Sequence, residues 1–177
     1  MALNLSFAGS LRFGELLGLT WDCVDVTQES IDRGMASIFI TKELQRTSKS
    51  TLSQLDDKDI LVKFPEQGTR NKTVLVLKKP KTATSVRKIF LPPTVAQMLV
   101  GWKEDQDLNR EMLGDEYQDF NLVMAGPMGL PMEGTAIDRV RSRLIEEHDL
   151  PKVVFHSIRH TSITYKLKLS GGDIKAV

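Results

Sequence analysis

Apolar residues along the chain recur with two different periods, and the changes of period mark the elements. Residues 1–8 (MALNLSFA) open on an apolar pattern with no capping residue ahead of it, which reads as a helix already under way. Gly9 ends that helix and Ser10 is the expected N-cap of a second one, packed through Leu11, Leu16, Leu19 and Trp21, with Arg12 in its first turn. Residues 36–44 alternate as a strand with Ile38 and Ile40 on one face, and the STLSQLDDKDI that follows reads as a short helix or an ordered insertion. Residues 73–79 and 86–91 read as two further strands joined by PKTATS as a hairpin connection, with Lys81 at its tip. Pro92, Pro93 and Thr94 open a long helix with Thr94 and Gln97 as a capping box and Val95, Met98, Leu99 and Trp102 as its buried stripe. A polar loop after Gly114 leads to an apolar strand, NLVMA, and then to a helix from Thr135 to His148 with Ile137, Val140, Leu144 and Ile145 inward. The last helix lies within residues 153–170 (VVFHSIRHTSITYKLKLS). It sets His156, Arg159 and His160 on one side and Ile158, Ser162, Tyr165 and Leu169 on a core-facing stripe.

Composition narrows the class without naming a function. A chain of 177 residues that is 41% hydrophobic and 27% charged is long enough for one well-buried domain. No apolar run approaches the roughly 20 residues that span a bilayer, and the single Cys23 excludes an internal disulfide, so a reducing, cytoplasmic setting is expected. The net charge of +1 does not announce a nucleic-acid partner, but its distribution does more. Arg70, Lys72, Lys78, Lys79, Lys81, Arg87 and Lys88 run without an intervening acid, and Arg139, Arg141 and Arg143 follow on a helix. Glu104, Asp105, Asp107, Glu111, Asp115, Glu116 and Asp119 cluster elsewhere, so a near-neutral total can hide a basic face and an acidic one.

Taken singly, the candidate residues leave more than one reading open. Arg12 and Glu15, three apart, form either an ordinary helical ion pair or an arginine oriented toward an anion by its carboxylate. The spacing of His156 and His160 suits a helical metal site. Arg159, however, would put a fixed cation beside the metal, and no Glu lies between the histidines, so a phosphate-facing cationic patch or a solvated face is preferred and no metal is expected. Lys81 on an exposed turn is merely solvated unless the turn reaches a ligand, and Lys78 or Lys79 could take its part. The acids lie mostly on one solvated helix and loop, which disfavours a two-metal nuclease, and no glycine-rich phosphate loop suggests a nucleotide cofactor.

Taken together, AGSLRFGELLGLTW, KPKTATSVRKIFLP and HSIRHTSIT, in this order and spacing, resemble the catalytic domain of the tyrosine recombinases, the phage-integrase family. The longer similarity, including KLKLSGGDIKAV, resembles integrases of conjugative transposons and related mobile elements of Gram-positive bacteria. The resemblance implies an α+β fold, mostly helical with a small antiparallel sheet on one side, and it treats residues 1–177 as one partial catalytic domain. The family's N-terminal DNA-binding domains and its C-terminal nucleophile segment are expected to lie outside it.

The family's roles carry over by position. Arg12 and Arg159 would clamp the scissile phosphate, Lys81 would protonate the leaving 5′ oxygen and His156 would assist proton transfer, with Glu15 and His160 supporting them. Neither Tyr165 nor Tyr117 matches the position of the family's nucleophile, so strand cleavage is not expected of these 177 residues. The implied partner is double-stranded DNA, bound weakly and in a salt-dependent way, with no cofactor. The full-length protein is expected to act as a homo-tetramer on DNA and this chain to be a monomer or weak dimer. The alternatives are a truncated, non-catalytic DNA-binding or interaction module and a helical structural domain whose cations are scattered.

Overall fold

The computed structural model describes residues 1–54, 59–65 and 72–173. Arg70, part of the STLSQLDDKDI insertion and the last four residues of KLKLSGGDIKAV therefore lie outside the described residues. The element order is α1 (Ala2–Gly9), α2 (Phe13–Leu17), β1 (Val24–Asp25), α3 (Gln28–Asp32), β2 (Ser37–Ile40), β3 (Glu43–Ser48), α4 (Lys49–Gln54), β4 (Ile60–Lys63), β5 (Thr73–Lys78), β6 (Arg87–Phe90), α5 (Pro93–Leu113), α6 (Gly134–Glu147) and α7 (Phe155–Leu169). It is an α+β arrangement, with the strands in two three-stranded antiparallel sheets, β1-β2-β6 and β3-β5-β4, where one sheet was expected.

The expected hairpin around Lys81 does not form. β5 is the middle strand of its sheet, with both edges taken by β3 and β4, whereas β2 offers an open edge on which β6 pairs, Ile38 against Ile89 and Ile40 against Arg87. The PKTATS segment instead crosses between sheets through a short 3₁₀ turn at Ala83–Ser85.

The start of the chain packs into the hydrophobic core. Leu5, Leu11 and Leu16 are buried with Ile38 and Ile40 of β2, Ala96 and Leu99 of α5, and Leu122, Val123 and Met124. The NLVMA segment is as buried as a core strand but is only a turn flanked by single bridges, Thr20 with Leu122 and Ala125 with Pro131. Two tryptophans fasten it to α5. Trp102 Nε1 donates to the Val123 carbonyl at 2.7 Å, and Trp21 Nε1 donates to Gln106 Oε1 at 2.8 Å.

α2 lies directly on the backbone of β3. A Cβ at Gly18 would stand 2.5 Å from the Leu44 nitrogen, and one at Gly14 would stand 3.0 Å from the Leu44 carbonyl oxygen. Only glycine allows so close an approach.

Several sequence expectations shift by a turn. Ser10 does not cap α2; it ends α1 in the left-handed conformation (φ 49°), and Arg12 is the N-cap, with Phe13 as the first helical residue. Pro92 rather than Thr94 caps α5, because proline at N1 sets the entry angle without a side-chain cap. Met98, Val140, Tyr165 and Leu169 were expected inside and are exposed. In each case the helix presents a narrower apolar stripe to the core than its sequence allows.

Candidate functional site

Glu15 is the centre of the site. It is the third residue of α2, and its Oε2 accepts the backbone N–H of Arg12 at 2.9 Å, the glutamate half of a capping box. Arg12 Nη1 returns to Oε1 at 2.8 Å. From β6, Arg87 adds a two-pronged contact, Nη1 to Oε1 at 3.0 Å and Nη2 to Oε2 at 2.9 Å. The Glu15 side chain is 1% exposed. Burial alone would raise its pKa, but the hydrogen bonds and charges of Arg87 and Arg12 outweigh that and hold it at about 2, against an ordinary value of 4.5. The carboxylate is therefore a permanent anion between two guanidinium groups.

The helix α7 supplies the third cation. Arg159 Nη1 donates to the Ser10 carbonyl, joining residues 149 apart in the chain. One turn on, the buried Ser162 hydroxyl donates to the Phe7 carbonyl and lies 2.8 Å from Ser10 Oγ. Lys166 Nζ then donates to the Ala8 carbonyl at 2.6 Å and to Ser10 Oγ at 3.0 Å. Positions 159, 162 and 166 share one helix face, and they bond carbonyls at and just past the end of α1: Ser10 and Ala8, and Phe7, which also accepts the Ser10 N–H. Cations also suit the negative pole of that helix.

Crowding shows in the ionisation of these groups. Arg159 is pushed below its ordinary value by burial first and then by Arg12 and Arg87, with Glu15 opposing. Lys166 is pushed down by burial, then by Arg87 and Arg159. Arg12, Arg87 and Arg159 thus gather around the Glu15 carboxylate, with Lys166 near Arg87 and Arg159, leaving an excess of positive charge facing solvent where Arg12 is half exposed.

Of the residues singled out from sequence, Arg12, Glu15 and Arg159 come together. His156 and His160 are exposed on α7, one turn before and one residue after Arg159, with their rings edge-to-face at 4.6 Å. Among the described residues no three His, Cys, Asp or Glu side chains form a group that could hold a metal ion. Lys81 is exposed on the crossing segment, whereas Lys78 is engaged with Glu43 at 3.2 Å within the second sheet. Tyr165 packs at a tilt against Phe7 with ring centroids 6.1 Å apart, and Arg110 lies over the ring of Tyr117.

Sequence reasoning passed over Arg87, Ser85 and Lys166. Arg87 was visible only as one of a run of basic residues, since nothing local distinguishes an arginine that reaches from a strand to a buried acid on a distant helix. Arg141, counted with the basic face, is partly used internally, bonding the Val153 carbonyl and Asp138.

No family model matches the chain. Among curated proteins, a tyrosine recombinase XerC-like protein of Caldanaerobacter subterraneus subsp. tengcongensis is 24% identical over 178 residues, which span 98% of this chain and 39% of that protein. Among solved structures, the Tn1549 transposon integrase in complex with a circular intermediate DNA superposes with a TM-score of 0.67 at 21% identity, covering 99% of this chain and 47% of that one. The same integrase in complex with transposon right end DNA gives 0.65 at 22%, with the same coverage. The chain spans less than half the length of these relatives. Over nearly its whole length this chain is similar in sequence to a tyrosine recombinase XerC-like protein, and its fold is that of part of the Tn1549 transposon integrase.

Proposed function

We propose that this chain is the catalytic-domain part of a site-specific DNA recombinase that cuts and rejoins DNA through a 3′-phosphotyrosine intermediate, in integration and excision of a mobile element. The observation that carries the reading is the meeting of Arg12 and Arg159, from opposite ends of the chain, beside the buried Glu15. Two fixed guanidinium groups converging on one spot suit a phosphodiester, and their charge is strongest in value where the transition state spreads negative charge over the phosphoryl oxygens. In this reading a tyrosine oxygen attacks phosphorus, the P–O5′ bond breaks, and the leaving oxygen takes its proton from Lys81, while His156 assists proton transfer. Lys81 is favoured over Lys78 because Lys78 is held by Glu43. Glu15 keeps Arg12 aimed, and His160 supports His156. The whole protein would work as a homo-tetramer on double-stranded DNA, with the 177-residue chain a monomer or weak dimer.

Gel-shift titration of a duplex at increasing NaCl tests the clamp. Affinity should fall steeply with salt, and Arg12→Gln and Arg159→Gln should each reduce the salt slope by about one. Binding that ignores both salt and these substitutions sinks the reading. A second reading, a non-catalytic DNA-binding or interaction module, is favoured by the position of Tyr165 and Tyr117 away from the clamp. The two agree that these 177 residues do not cleave. A covalent protein–DNA band on nicked duplex that survives a denaturing gel would refute that shared expectation.

A further inference from the structure

Two guanidinium groups meet the same two residues. Arg87 Nη1 donates to Glu15 Oε1 at 3.0 Å and to the Ser85 carbonyl at 3.0 Å. Arg12 Nη1 donates to Glu15 Oε1 at 2.8 Å and to the Ser85 hydroxyl at 3.4 Å. The four residues close a ring of hydrogen bonds that joins the entrance of α2, the start of β6 and the segment crossing between the sheets. That segment has a polar seam of its own. The Thr82 hydroxyl lies 3.0 Å from Ser85 Oγ and 3.1 Å from Thr84 Oγ1, and the Ser85 N–H donates to the Thr82 carbonyl at 3.0 Å. At its far end the Lys79 N–H donates to the Asp59 carbonyl at 3.0 Å. Ser85 is thus where the segment touches the clamp, and its partner Thr82 is the neighbour of the exposed Lys81.

We propose that Ser85, itself held by Arg87, is the positioning residue for Lys81. Through the Ser85–Thr82 contact the turn bearing Lys81 is tied to Arg12, so that lysine and arginine meet one DNA phosphate in a fixed relation. A lysine has a flexible four-carbon stem and a compact charge, so its reach is set by how firmly its backbone is held. The proposal takes the identity of the ligand from the function proposed above, but the tie is a property of the free chain.

The test is ¹³C-dimethyl labelling of the lysines of the 177-residue chain, with the Lys81 signal assigned by Lys81→Arg. In the free chain, Ser85→Ala should narrow the Lys81 line by about twofold as the turn gains freedom, and Ser85→Thr, which keeps the hydroxyl, should restore the wild-type width. Thr82→Val breaks the same contact at an exposed position and should narrow the line likewise, so the test stands even if Ser85→Ala does not fold. On a duplex of about 20 base pairs the wild-type Lys81 signal should shift, and the shift should fall by more than about half in Thr82→Val. An unchanged Lys81 line width in both folded variants overturns the positioning role. A wild-type chain whose Lys81 signal ignores DNA overturns the proposed function instead, and the free-chain comparison still decides the tie.

Discussion

Replacing Glu15 by glutamine removes the anion between Arg12 and Arg87 while keeping its shape. The carboxyl titrates at about 2 in the folded chain and at 4.5 ordinarily, and each tenfold change in an ionisation constant is worth about 1.4 kcal/mol, so ionised Glu15 contributes about 3 kcal/mol to stability. Its folded pKa is depressed, so this contribution is fully present above about pH 4.5 and is lost as pH falls toward 2. At pH 3 about 1.4 kcal/mol should remain.

Glutamine imitates the protonated acid, so the gap between wild type and Glu15→Gln should be about 3 kcal/mol at pH 7 and should shrink to less than half of that at pH 3. Urea unfolding followed by the fluorescence of Trp21 and Trp102, both partly buried against the core and hydrogen-bonded there, reads the gap directly. With a urea dependence of about 2 kcal/mol per molar, the midpoint should move by about 1.5 M at neutral pH. Urea is preferred to guanidinium because it does not screen the ion pairs. A gap below about 1 kcal/mol at pH 7, or one that stays constant between pH 7 and pH 3, would refute the account of a buried, charge-stabilised carboxylate.

Two further substitutions test the packing that holds the site. Gly18→Ala drives a methyl group into the Leu44 backbone and should cost about 3 kcal/mol, whereas Gly101→Ala, in α5 with nothing within 4 Å, should be neutral or gain up to about 1 kcal/mol; thermal unfolding of the pair compares them under one assay. Ser162→Ala leaves the Phe7 carbonyl and Ser10 hydroxyl without their shared partner in the α1–α7 contact, and a loss of about 1–2 kcal/mol is expected in urea unfolding.

Much of the helical frame was legible from periodicity alone. Leu99 and Val95 on α5, Ile137 on α6 and Ile38 and Ile40 on β2 lie inside as their spacing requires, because burial of an apolar stripe is a local property repeated every turn or every second residue. The exposed Val140, Tyr165 and Leu169 mark the limit of that reasoning. A stripe tells which face would be buried, and only the neighbours present decide how much of it is covered.

The motifs, taken with a family resemblance, pointed to Arg12, Glu15 and Arg159 as candidates, and the fold brings these three near one another. What the chain alone could not decide is the company those residues keep. β6 leaves β5 for β2 because both edges of β5 are already paired, and that choice carries Arg87 to Glu15 and brings Ser85 against Arg12. Likewise, a helix from the far end of the chain brings Ser162 and Lys166 to carbonyls at the end of α1, so these two residues acquire their partners in the fold and have none in the sequence. Hydrophobic pattern and residue type set the elements and the candidate chemistry; strand competition for edges and the pairing of buried polar groups, both long-range, set the site.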